Sequence, residues 1–145
     1  MNFLLLLLFN GLYLLGESST STQQTCSIVI SEVSNNRGHV MIALYKNASD
    51  FPDNPQKALV TRRVAAALGT VTVNIPDLAA GTYAFAIFHD ENDNLKLDKG
   101  FFGIPKEGFC FSRQAMGTFG PPDFKDAAFE VTDVGSVQRV RMVYW

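Results

Sequence analysis

From residue 26 onward apolar side chains fall on alternate positions almost everywhere, and the interruptions carry turn residues. A period of two sends successive side chains to opposite faces of an extended chain, so it constrains the molecule to strands rather than helices. The clearest run is Thr82 to Asp90, where Tyr83, Phe85 and Ile87 alternate with Ala84, Ala86 and Phe88. Cys26 to Val33 sets Cys26, Ile28 and Ile30 on one face, and His39 to Lys46 is apolar on both faces, which predicts a central strand. Val71, Val73 and Ile75 alternate after Gly69, and Ala127 to Val131 and Ser136 to Tyr144 flank Asp133-Val134-Gly135. The turns at 34–38, at Gly69 and at 133–135 predict hairpins between the strands they join. Leu59 to Ala67 suits a helix or a strand, and a hairpin about Gly69 makes the strand the simpler reading; Asp50 to Pro55, with two prolines, predicts a loop. About seven strands without a long helix predict an all-β fold, an antiparallel β-sandwich, rather than a βαβ fold.

The first residues belong to a different kind of chain. Residues 3–15, FLLLLLFNGLYLL, are apolar apart from Asn10 and Gly11, and small polar residues follow. A membrane span needs about 20 apolar residues, so this run predicts a signal peptide over residues 1–22, followed by one domain over 23–145 without a membrane span. No Lys or Arg precedes the run, which leaves an uncleaved anchor or a different targeting class as the alternative. Either way the domain is expected to be secreted, periplasmic or held at the cell surface. The chain carries 12 Lys and Arg against 14 Asp and Glu, and no segment has the clustered basic surplus that neutralises phosphates, which excludes a nucleic-acid partner.

Cys26 and Cys110 are the two cysteines. In an exported chain they could form a disulfide, worth about 4 kcal/mol of unfolded-state entropy, or remain two buried thiols. Neither has an adjacent cation to activate it as a nucleophile. Asn47-Ala48-Ser49 is a glycosylation sequon, which matters only in a eukaryotic secretory pathway.

Two features carry candidate chemistry. Asp90, Asn92, Asn94 and Asp98 occupy positions 1, 3, 5 and 9 of a loop leaving the strongest strand, the spacing by which alternate oxygens converge on calcium. Leu95 stands at the sixth position, where calcium loops favour Gly, and Phe101 at the twelfth, where they place Glu. The competing reading is a polar turn whose Asp and Asn bond to nearby backbone. His89 precedes the loop; it is either a ligand or base beside Asp90 or a buried histidine bonded to a carbonyl. No Gly-x-Ser-x-Gly elbow frames Ser112, so no catalytic residues are assigned. The second feature is the segment 91–126, rich in Gly and Pro, which holds Phe101, Phe102, Phe109, Phe111, Phe119 and Phe124, half of the twelve Phe in the chain. So long a loop is functional or disordered, and its rings argue against disorder. Phe101, Phe102, Phe109 and Phe119 are the candidate ligand patch; the competing reading has the Phe-rich segment fill the end of the sandwich.

The order of these motifs resembles the DUF2141 family: Gly38-His39-Val40-Met41-Ile42-Ala43-Leu44-Tyr45, Gly81-Thr82-Tyr83-Ala84, His89-Asp90-Glu91-Asn92, Phe102-Gly103-Ile104-Pro105-Lys106-Glu107-Gly108 and Phe119-Gly120-Pro121-Pro122. The resemblance covers about residues 26–144. It implies an exported immunoglobulin-like or transthyretin-like (prealbumin-like) sandwich, and puts the family's acidic loop on Asp90, Asn92, Asn94 and Asp98. It brings no catalytic residues. The expected function is a non-enzymatic binding module for a protein, peptide or glycan at the cell surface. The alternative is a small secreted hydrolase or carbohydrate-binding protein using the His89 to Asp98 loop.

Overall fold

The computed structural model describes residues 23–145. The signal peptide expected over residues 1–22 lies outside the described residues. Among these, eight strands form in the order β1 (Gln24–Val33), β2 (His39–Tyr45), β3 (Val60–Ala65), β4 (Gly69–Leu78), β5 (Gly81–Asp90), β6 (Phe109–Phe111), β7 (Phe129–Val131) and β8 (Ser136–Arg141). The α-helix α1 (Phe124–Ala127) is a single turn. The fold is therefore all-β.

The strands make two sheets, one ordered β4-β1-β8 and one ordered β3-β2-β5-β6, with β7 pairing on β5. Their inward faces share one core. Ile28, Ile30, Val73 and Ile75 from the first sheet and Val40, Ile42, Phe85 and Ile87 from the second are nearly fully buried in it. The outer face of the second sheet is covered as well. Tyr45 and Ala84 pack there with Phe51, Ala127, Phe111 and Phe124. Phe51 meets Tyr45, Phe111 and Phe124 edge to face, at centroid distances of 5.5, 6.1 and 5.8 Å. This second layer explains why β2 is apolar on both sides.

The strand content matches the period-two reading, but the pairing corrects it. The hairpins expected at 34–38 and at Gly69 do not form, and the one expected at 133–135 is confined to the antiparallel Thr132–Gly135 bridge, beyond which β7 and β8 part. β1 pairs with β4 and β8, β2 with β3 and β5, and β7 with β5. The connections at 34–38, 66–68 and 132–135 instead carry the chain from one sheet to the other. The physical reason is that each strand they join has its own inward apolar face, and burying both faces against each other rewards a crossing over a lateral pairing. At Gly38 the crossing needs glycine outright: its φ is +63°, and a Cβ would lie 1.9 Å from the Asp90 carbonyl oxygen. The pairing of β1 with β8 is also parallel rather than antiparallel, because no hairpin joins the two strands and β8 enters from the opposite sheet. Past Arg141 the chain bridges the sheets: the Met142 N–H donates to the Ser31 carbonyl at 2.9 Å, while Val143 pairs with Phe109 of β6.

The disulfide is a further correction. Cys26 and Cys110 are free and fully buried. Cys26 sits opposite Ile75 and Ser136 in the first sheet and Cys110 opposite Ile87 in the second. Each fills the core as a small apolar side chain, and burial pushes the thiols up to about 11 and about 12.

Candidate functional site

Register places three connections at one end of the molecule. His39 lies opposite both Ala65 and Asp90, and Val33 opposite Gly69, so the segments 34–38, 66–68 and 91–108 all leave the same edge of the fold. The last of these is the segment that the sequence singled out.

Its base is built from buried carboxylates. Asp90 is fully buried at the end of β5 and accepts the Asn94 N–H at 3.1 Å and the Leu95 N–H at 2.8 Å. Glu107 is buried where the loop returns to β6, and accepts the Glu91 and Asp98 N–H groups, each at 3.0 Å. The Asp98 carboxylate receives the Asn92 and Asn94 side-chain amides at 2.7 and 2.9 Å. Those amides, Asn94 first, hold the Asp98 carboxyl below its usual range, helped by Lys96 and Lys106. Asn92 and Asn94 accept the Asn94 and Lys96 N–H groups as Asx turns. Such hydrogen bonds let Asp93 and Leu95 adopt φ of 58° and 65° without glycine. Further out, Glu91 pairs with Arg37, and Asp93 pairs with His39 and Arg63.

A calcium ion fits this arrangement poorly. Both oxygens of Asp90 and of Asp98 already have N–H partners, and among the described residues no group of three or more His, Cys, Asp or Glu side chains is placed to hold a metal. The side chains of positions 1, 3, 5 and 9 bond within the loop: Asp90 and Asn92 both accept the Asn94 N–H, and Asp98 accepts the Asn92 and Asn94 amides.

His89 is fully buried and engaged at both nitrogens. Nε2 is 2.7 Å from the Arg37 carbonyl, so Nε2 carries the proton and donates it; Nδ1, 2.8 Å from the Tyr144 hydroxyl, accepts. The same hydroxyl accepts the Ser34 N–H at 3.0 Å, and Gly108 leaves room for the Tyr144 ring. This is the buried histidine bonded to a carbonyl. Ser112 is likewise structural: its hydroxyl accepts the Phe85 N–H at 3.0 Å and donates to the Ala127 carbonyl at 2.6 Å.

The tip of the loop is unlike its base. Lys99 bridges to Pro105, the Gly100 N–H donates to Ile104 at 2.7 Å, and the Ile104 N–H donates to Phe101 at 3.3 Å. The two residues between, Phe102 and Gly103, have φ of 58° and 73°. Two central residues with positive φ make a type I′ turn, which favours Asn-Gly, and here Phe takes the Asn position. Phe101 is 89% exposed and Phe102 100% exposed, with Ile104, Leu95 and Leu68 exposed at the same end.

The four candidate Phe residues are thus divided. Phe101 and Phe102 form the tip. Phe119 is fully exposed on a separate loop, 115–123, whose flanks are anchored at the middle of β5 through Ser112. Phe109 is corrected: it is 7% exposed, packed on Phe111 and stacked with Trp145, because it pairs with Phe88 in β6. Asn47 is exposed just beyond the end of β2. Glu107 and Tyr144 are the residues that sequence reasoning missed. Nothing local in the Lys-Glu-Gly step at 106–108 tells that its acid points inward.

No curated protein and no solved structure matches the chain. A family model described as "Uncharacterized protein conserved in bacteria (DUF2141)" matches residues 28–138, from within β1 to within β8, so the chain belongs to the DUF2141 family.

Proposed function

We propose that the chain is an exported, non-enzymatic binding module, a sandwich of immunoglobulin-like or transthyretin-like type, which works at a cell surface or in an extracytoplasmic space through the tip of its 91–108 loop. One observation carries this reading: Phe102 is fully exposed in a left-handed backbone conformation. Folding gains no burial from that ring, and a left-handed non-glycine residue costs about 1 kcal/mol. A strained turn that puts an aromatic into water is accounted for by a partner that covers it. The rigid base, with its buried acceptors filled by backbone N–H groups, presents the tip in one position.

The hydrolase alternative cannot use His89 as an open base, since both of its nitrogens are committed within the fold. The binding reading needs no cation at Asp90, Asn92, Asn94 and Asp98. It is tested by replacing Phe102 with the photocrosslinking analogue benzoylphenylalanine in the producing cells, with Val134 at the opposite end as reference. Adducts at 102 and not at 134 are expected. A tip that forms no adduct, or no more than position 134, contradicts the reading.

A further inference from the structure

The tip couples exposed apolar side chains to a one-sided charge. Between Leu95 and Lys106 there are three lysines, Lys96, Lys99 and Lys106, all exposed, and a single acid, Asp98. That acid is committed to the Asn92 and Asn94 amides. The acids nearer the base, Glu91 and Asp93, are paired with Arg37 and Arg63. With three lysines against one carboxylate, which Lys96 and Lys106 partly balance, Phe101 and Phe102 project from a rim of net positive charge. The stem of Lys106 runs along Gly100, its Cε 3.3 Å from where a Cβ would stand, so that ammonium is carried on the hairpin itself.

We propose that this end docks on an anionic lipid surface, with Phe101 and Phe102 entering the headgroup and acyl boundary and the three lysines lying at the phosphate level. This deepens the binding reading above and rests on it. A protein partner with an apolar pocket would satisfy the rings but leave three surrounding ammonium groups to be matched separately. A bilayer with acidic headgroups meets both demands with one surface, as aromatic side chains favour the interface and lysines are drawn to its charge. Leu68, Leu95 and Ile104 at the same end widen the apolar contact. The surroundings of His39 and the 34–38 segment stay in water in this pose, since their charges are already paired at the base.

The apolar run at residues 3–15 can partition into lipid by itself, so the test reads the tip rather than the whole chain. Cys26 and Cys110 are buried and stay unlabelled at neutral pH. In the full chain, Ile104→Cys carries an environment-sensitive nitrobenzoxadiazole dye, and Asp133→Cys carries the same dye at the opposite end. With vesicles of phosphatidylcholine and about one-third phosphatidylserine, the dye at 104 is expected to brighten and shift to the blue while the dye at 133 does not. Phe101→Ser with Phe102→Ser should weaken the response at least about tenfold. Lys96→Gln, Lys99→Gln and Lys106→Gln together, or a rise in salt, should weaken it by about as much. A silent dye at 104, or an equal response at both ends, overturns the proposal. If the dye is silent but position 102 still crosslinks to protein in cells, the lipid assignment falls and the binding reading stands. If both are silent, both fall. A response at 104 caused by self-association, seen without vesicles and lost in the Phe double variant, assigns the tip to a second copy and also overturns the lipid.

Discussion

The base and the tip of the 91–108 loop are a few residues apart and follow opposite rules. At the base every side chain the fold buries is answered: Asp90 and Glu107 each take two backbone N–H groups, and His89 is bonded on both sides. At the tip the backbone is strained and the largest side chains face water. The difference separates residues that the fold needs from residues that the fold tolerates. Substitutions should therefore act with opposite sign in the two regions.

The largest effect is expected at the base. Asp90→Ala leaves the Asn94 and Leu95 N–H groups without their acceptor and should destabilise the chain by about 3 kcal/mol, read as a lower urea midpoint. An unchanged midpoint would mean the loop is held by something other than its carboxylates. Gly108→Ala comes next. Its Cβ would stand 2.4 Å from the Tyr144 ring, and displacing that ring from His89 should cost about 2 kcal/mol. At the tip the sign reverses. Phe102→Asn gives the turn a residue suited to left-handed φ and should stabilise the fold by about 1 kcal/mol.

Smaller effects test the loop's electrostatics. Asp98 has its folded-state carboxyl held below the ordinary range, so its contribution is present above the unfolded value and lost as pH falls through the folded one. Amide protection at residues 92–98, taken relative to the intrinsic exchange rate at each pH, should fall on acidification before that of the core, and Asp98→Asn should remove that pH dependence. Added calcium should leave the melting temperature unchanged, because the Asp90 and Asp98 oxygens are already taken. A rise with calcium that Asp90→Ala abolishes would restore the cation reading.

What the sequence revealed follows the same division. The alternation of Tyr83, Phe85 and Ile87 identified β5 because burial on one face leaves a local periodic trace. Gly69 and Gly135 marked turns because positive φ has a residue signature. The lateral partner of each strand left no such trace. A turn that opens a hairpin and a turn that crosses between sheets use the same residues, and only the global burial of both faces decides between them. Likewise Phe101 and Phe109 look alike in a segment without a period. One lies in a turn and the other in a three-residue strand. The inward acid Glu107 was invisible for a related reason, since its partners, Glu91 and Asp98, are 16 and 9 positions away.

The central claim is that Phe102 serves a partner at the expense of the fold, and Phe102→Asn tests it in one sample. The account predicts that this variant unfolds at higher urea than the parent while losing its response to anionic vesicles. A variant that unfolds at lower urea would contradict it, for then the ring at the tip would be holding the structure together.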